Sequence, residues 1–129
     1  AADIEASDAP PAAPLQALID GAERYFAAMA GQGRARLLLL EAPAVLPPAQ
    51  LLALHERAGA SALRDGLGAA LAPAALAGAV IDALAAQLSA AFDRAALAIA
   101  RGEPAEPQRQ AMRWLLTQLV QGAGAAPRA

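Results

Sequence analysis

The sequence predicts an all-α bundle of five or six helices, and three observations carry that expectation. The 57% hydrophobic content is dominated by Ala and Leu, with only 3% aromatics; Ala is the best helix former and a poor strand residue. Pro14, Pro48, Pro73 and Pro107 each stand before a helix-like run, where a residue with no N–H and φ near the helical value fits the first position. Gly31, Gly102 and Gly122 follow such runs, as C-terminal caps do. Within the runs, apolar residues recur at steps of three and four, the spacing of one helix face.

Taken in order, residues 1–13 read as an acidic linker or the end of a preceding helix, residues 14–122 as one helical domain, and residues 123–129 as a disordered tail. From Pro14 to Gly31, the residues Leu15, Leu18, Ile19, Ala22, Phe26 and Met29 form an apolar stripe, with Asp20, Glu23 and Arg24 off it. Next comes Arg36 to Pro48, RLLLLEAPAVLPP, the most apolar segment of the chain. A strand would be isolated here, so it is expected as a short buried helix. Arg34 and Arg36 lie at its wet start, Leu37 to Leu40 pack inside, and Pro43 ends or kinks it.

After Pro47 and Pro48, residues 49–58 form a helix with Leu51, Leu52 and Leu54, broken near Gly59. Residues 61–71 resume with Leu63, Leu67 and Leu71 four apart. The longest helical pattern runs from Pro73 to Arg101. Leu76, Val80, Leu84, Leu88, Ala91 and Ala95 form one seam and Ile81, Ala85, Phe92 and Ile99 a neighbouring one, so burial on more than one side is expected. The closing helix, Glu106 to Gln121, has Met112, Leu115, Leu116 and Leu119 on one face and Trp114, Thr117 and Gln121 on another.

Composition excludes several functions. A net charge of −2 gives no electrostatic footprint for nucleic acid. The chain has no Cys, which removes disulfides, thiolate metal sites and cysteine nucleophiles. All ten basic residues are Arg, the bias of GC-rich coding DNA as in high-GC bacteria. The longest uncharged window, Gly66 to Ile81, is too short and too rich in Ala and Gly for a membrane span, so no span is expected. A chain starting at Ala is expected to be processed or cut from a longer one, and a secreted helical protein after signal cleavage fits that start too.

Little here speaks for catalysis, and no enzyme activity and no cofactor are expected. His55, the single His, points toward the apolar side of its helix. It is expected to be partly buried and satisfied by a backbone carbonyl, with a ligand hydrogen bond as the sharper alternative. No Ser–His–Asp set or second metal ligand accompanies it. The Gly66 to Gly68 window lacks a preceding strand and a phosphate-loop lysine, so it cradles no nucleotide. Tyr25, His55 and Gln87 do, however, set polar atoms on apolar faces, as an apolar ligand cavity between helices requires. The same pattern also fits plain core.

RLLLLEAPAVLPP at 36–48, SALRDGLGAAL at 61–71 and LSAAFDRAALAIARGEP at 88–104, followed by a Leu-rich closing helix, together resemble the C-terminal domain of TetR-type transcriptional regulators, over about residues 15–122. The resemblance implies a small-molecule pocket and a homodimer built on the last two long helices as a four-helix bundle. Ligand-binding candidates are then Tyr25, Phe26, Met29, Leu40, His55, Leu63, Gln87 and Phe92. Interface candidates are Leu84, Leu88, Ala91, Ala95, Leu115, Leu116 and Leu119. Operator DNA would be reached only through an N-terminal helix-turn-helix that this sequence does not contain. The effector would be small and apolar, the location cytoplasmic, and no membrane would be involved. The alternative is a non-enzymatic helical protein–protein interaction module without a pocket.

Overall fold

The computed structural model describes residues 12–31, 34–57 and 60–124. Among the described residues there are six helices and no strand, the all-α architecture expected. They are α1 (Ala12–Met29), α2 (residues 34–45), α3 (Pro48–Arg57), α4 (Ala60–Ala70), α5 (Gly78–Ala100) and α6 (Ala105–Gly124), with a short 3₁₀ turn at Ala72–Ala74.

Helix α1 is packed as its pattern dictates: Leu18, Ala22, Phe26 and Met29 are buried, and Leu15 and Ile19 lie against them. It packs against α4 on one side and α6 on another, while α4 also packs against α5, and α2 crosses α5. Leu67 of α4 and Leu116 of α6 are fully enclosed, and Ala85, Leu88, Phe92 and Ala96 of α5 complete the core. No polar or charged residue among those described is fully buried. On the surface, Glu23 of α1 meets Arg109 of α6 at 2.8 Å, and Arg113 lies 3.8 Å from Glu23 and 3.5 Å from Glu106. These exposed pairs fix orientation more than stability.

Helix α2 departs from expectation. It is α-helical at Arg34–Arg36, a π turn at Leu37–Glu41 and α-helical again at Ala42–Val45. The cause is Pro43, which has no N–H and whose ring would collide with the carbonyl of Leu39 in a regular turn. The chain widens instead, with the Ala42 N–H donating to the Leu37 carbonyl five residues back. One consequence is that Leu37 and Leu40 are not packed inside. Leu37 is 54% and Leu40 41% exposed; the buried positions are Ala35 and Ala42, with Leu39 half-buried between them.

The proline signals hold at some positions and shift at others. Pro48 opens α3, but α6 starts at Ala105, with Pro107 two residues further in, and Pro14 lies within α1. Pro107 still belongs to the first turn of its helix, whose N–H groups need no intrahelical partner. Pro73 does not open the long helix. It sits in the 3₁₀ turn, which ends at Ala75 with φ 53°, and α5 begins only at Gly78. Gly102 caps α5 as expected: its φ is 100°, its N–H donates to Ile99 and that of Glu103 to Ala98, a Schellman closure. Gly122 caps nothing, because α6 continues to Gly124 with Ala123 buried.

The two glycines of α4 behave differently. A Cβ on Gly66 would lie 3.0 Å from Leu18 Cδ2, whereas one on Gly68 would meet nothing within 4 Å. Gly68→Ala is therefore expected to stabilise the fold by about 0.5–1 kcal/mol through helix propensity. Gly66→Ala is expected to gain less, because Leu18 must move. Urea unfolding of both variants compares the midpoints directly.

Candidate functional site

The sequence-predicted ligand residues do not form one site. Tyr25, Phe26 and Phe92 come together: the Tyr25 and Phe26 rings lie 5.8 Å apart, and Phe26 meets Phe92 edge-on at 6.1 Å. Phe26, Met29 and Phe92 are buried as core, and Leu63 packs against that core. Leu40 and Gln87 instead face outward. Leu40 is displaced by the π turn, and Gln87 follows Val80 and Ala83 on the outer stripe of α5 at steps of three and four. The side chain of His55 lies outside the described residues, so its two readings are carried no further. Among the described residues, no group of three or more potential ligand side chains is placed to hold a metal ion.

A different concavity lies where α2 crosses α5. It is an open groove of about 270 Å³ lined by Leu39 and Pro43 from α2 and Ala90, Asp93, Arg94 and Leu97 from α5. Its walls are apolar, and its charged groups are one carboxylate and one guanidinium. Asp93 accepts a hydrogen bond from the Tyr25 hydroxyl, which reaches it from α1. The groove thus has a fixed acid, held by a ring that packs into the core behind it.

Tyr25 is the only tyrosine in the chain. Burial first, and then the hydrogen bond to Asp93 and its negative charge, raise the pKa of the phenol well above its ordinary value. The folded state therefore binds this proton more tightly than the unfolded state, whose tyrosine titrates near pH ~10. The stabilisation is complete below about pH 10 and is lost as pH rises above it. Phenolate absorbance is expected to stay absent above pH 10 until the protein unfolds. Its appearance at the ordinary pKa in the folded state would refute the burial of this hydroxyl.

Among the candidates from the sequence no carboxylate was named, so Asp93 was missed. A signal was present: Ala90, Asp93, Arg94 and Leu97 share one narrow face of the long helix at steps of three and four. Nothing in the sequence paired that face with Leu39 and Pro43, because the two segments lie some fifty residues apart.

The interface candidates divide in a similar way. Leu88 and Leu116 are buried in the chain's own core and offer nothing to a second copy, a correction to the interface role the resemblance implied for them. Leu84, Ala95, Leu115 and Leu119 are half-buried, and Ala91 is exposed. Leu76, Val80 and Trp114 are also exposed, at 41%, 45% and 65%. Contrary to the window-based expectation, α5 is long and apolar enough to cross a membrane by length and composition, and 22% of its apolar window is buried within the fold.

Compared with known proteins, residues 15–123 match the family described as tetracyclin repressor-like, C-terminal domain. No curated protein and no solved structure matches the chain.

Proposed function

The chain belongs to the tetracycline repressor-like C-terminal domain family, and on that premise we propose that it is the effector-sensing and dimerising domain of a transcriptional repressor. Domains of this family generally bind small effectors, dimerise and regulate. The observation that best supports the reading here is the outer face of α5. Val80, Ala83 and Ala91 form an exposed, mostly apolar stripe interrupted by Gln87, with Leu84 and Ala95 half-buried beside it. Small residues let another helix approach closely, and exposed Leu76, just before α5, and exposed Trp114 on α6 offer larger apolar surface. A second copy covers such a face by two-fold symmetry.

Packing of α5 in a dimer also accounts for a long apolar helix without a membrane. Asp82, Asp93 and Arg94 lie along it, and a charge at the centre of a bilayer costs several kcal/mol. The reading is of a cytoplasmic regulator without catalytic activity. Operator DNA would be bound by a helix-turn-helix outside these residues.

Sensing would work by differential affinity. An effector that binds one packing of α2 against α5 better than another shifts the population toward that packing. Because α5 also carries the dimer face, the shift would change the spacing of two recognition helices that must meet half-sites one turn apart.

The test is light scattering of the purified chain together with a thermal-shift screen of apolar, planar and cationic compounds. A dimer at micromolar concentration with at least one stabilising compound is the expected result. A monomer overturns the dimer, and a dimer that no compound stabilises favours a protein-interaction module without a pocket.

A further inference from the structure

We propose that the groove between α2 and α5 takes a small organic monocation, an amine whose ammonium pairs with Asp93 and whose apolar body lies against Leu39, Pro43 and Leu97. The proposal rests on the effector-sensing reading and names the chemistry of the effector.

The polar inventory of the groove decides the class. The Tyr25 hydroxyl has one hydrogen, and it is donated to Asp93. What remains at this fixed position is acceptor capacity on the Asp93 carboxylate, so the complementary group on a ligand is a donor. Tyr25 keeps its proton, which leaves the pair with a single negative charge. An ammonium satisfies both the charge and the open lone pairs, and charge-assisted hydrogen bonds of this kind are the stronger sort.

Arg94 is the one groove residue opposed to a cation. It is exposed and has no ion-pair partner among the described residues, whereas Asp93 is half-buried and anchored to α1 through Tyr25. The guanidinium can swing into solvent on its long stem; the carboxylate is held in place. At about 270 Å³ the groove falls below the ~300–1,000 Å³ of drug-sized sites, so the ligand is small.

The notched wall of α2 supports the same site. The π turn places Leu39 toward α5 while the next turn carries Pro43, and both face the groove. Single π turns inside α-helices occur frequently at functional sites.

The experiment is calorimetric titration of the purified chain with hexylammonium, hexanol and hexanoate, which share a tail and differ in head group. Hexylammonium is expected to bind at least about tenfold more tightly than hexanol, the scale of a hydrogen bond to a charged group. Asp93→Asn, whose amide oxygen still accepts from Tyr25, is expected to erase that preference. Ala90→Phe, which fills the groove from an exposed position, is expected to abolish hexylammonium binding with the circular dichroism spectrum unchanged.

Tighter binding of hexanoate would make Arg94 the head-group residue, and equal binding of hexanol would remove the charge requirement. Either overturns the proposal while leaving effector sensing intact. Undiminished binding in Ala90→Phe would place the ligand elsewhere and overturn it as well. Failure of all three probes overturns the groove as a cation site, and the broader compound screen then decides separately whether the domain senses any effector.

Discussion

Leu116→Ala is expected to lower the unfolding free energy by about 2–5 kcal/mol, as a fully enclosed leucine truncated to alanine does. Leu116 has no exposed surface, and it sits on α6 where that helix packs against α1. The loss combines the transfer free energy of the removed atoms with the cavity left behind. Against a typical total of about 5–15 kcal/mol, one such change brings the domain close to its threshold. Leu67→Ala on α4 is expected to act with similar size, because Leu67 is equally enclosed.

The control is Leu40→Ala, where 41% of the side chain is already exposed by the π turn and the cost is expected to stay below about 1 kcal/mol. Urea unfolding at one fixed protein concentration makes the comparison, since any dimer makes apparent stability concentration-dependent. A cost at Leu40 equal to that at Leu116 would mean that α2 is packed as the apolar run LLLL suggests and not as the structure shows.

Val80→Glu is the second large effect, and it falls on association instead of folding. Val80 is 45% exposed, so a carboxylate there stays hydrated in an isolated chain and costs little. In a two-fold dimer that pairs the outer face of α5, the same substitution places two carboxylates in the interface. Burying polar groups without partners costs roughly 1–3 kcal/mol each by mutational measures, which predicts dissociation on the order of a hundredfold or more. Analytical ultracentrifugation of the wild type and the variant reads this directly. An unchanged dimer would move the interface away from this stripe, and Trp114→Glu would then test the exposed indole of α6 as its centre.

Much of the fold was legible in residue spacing. Leu18, Ala22, Phe26 and Met29 mark the buried stripe of α1, and Leu67, with Leu71 just past its end, that of α4, because local periodicity alone sets which residues share a face. Gly102 was legible for the same local reason, since a left-handed position after a helix favours a residue without Cβ. Pro73 was misread because proline fits a 3₁₀ turn as well as a helix start, and nothing local announces the left-handed Ala75 beyond it.

The candidate site was far less legible. Two adjoining seams on α5 both looked suitable for the core or for a partner. The core instead took Leu88 from one and Ala85 and Phe92 from the other, together with Ala96, while leaving Val80 and Gln87 outside. A helix with Ala and Leu on nearly every side has no single apolar face to declare. Which face turns inward depends on the shape of the helices that meet it.

By itself the sequence determined the helical class, the order of the helices, the stripe of α1 and the family resemblance in RLLLLEAPAVLPP and the segments after it. These follow from backbone preferences and from i, i+3, i+4 spacing, which act within a few turns of chain. Only the tertiary structure decided that Tyr25 donates to Asp93, that Leu39 and Pro43 face Ala90 and Leu97, and that Leu40 and Gln87 point away. Those outcomes depend on how α1, α2 and α5 pack, and contacts between segments some fifty or more residues apart leave no periodic trace in the chain that makes them.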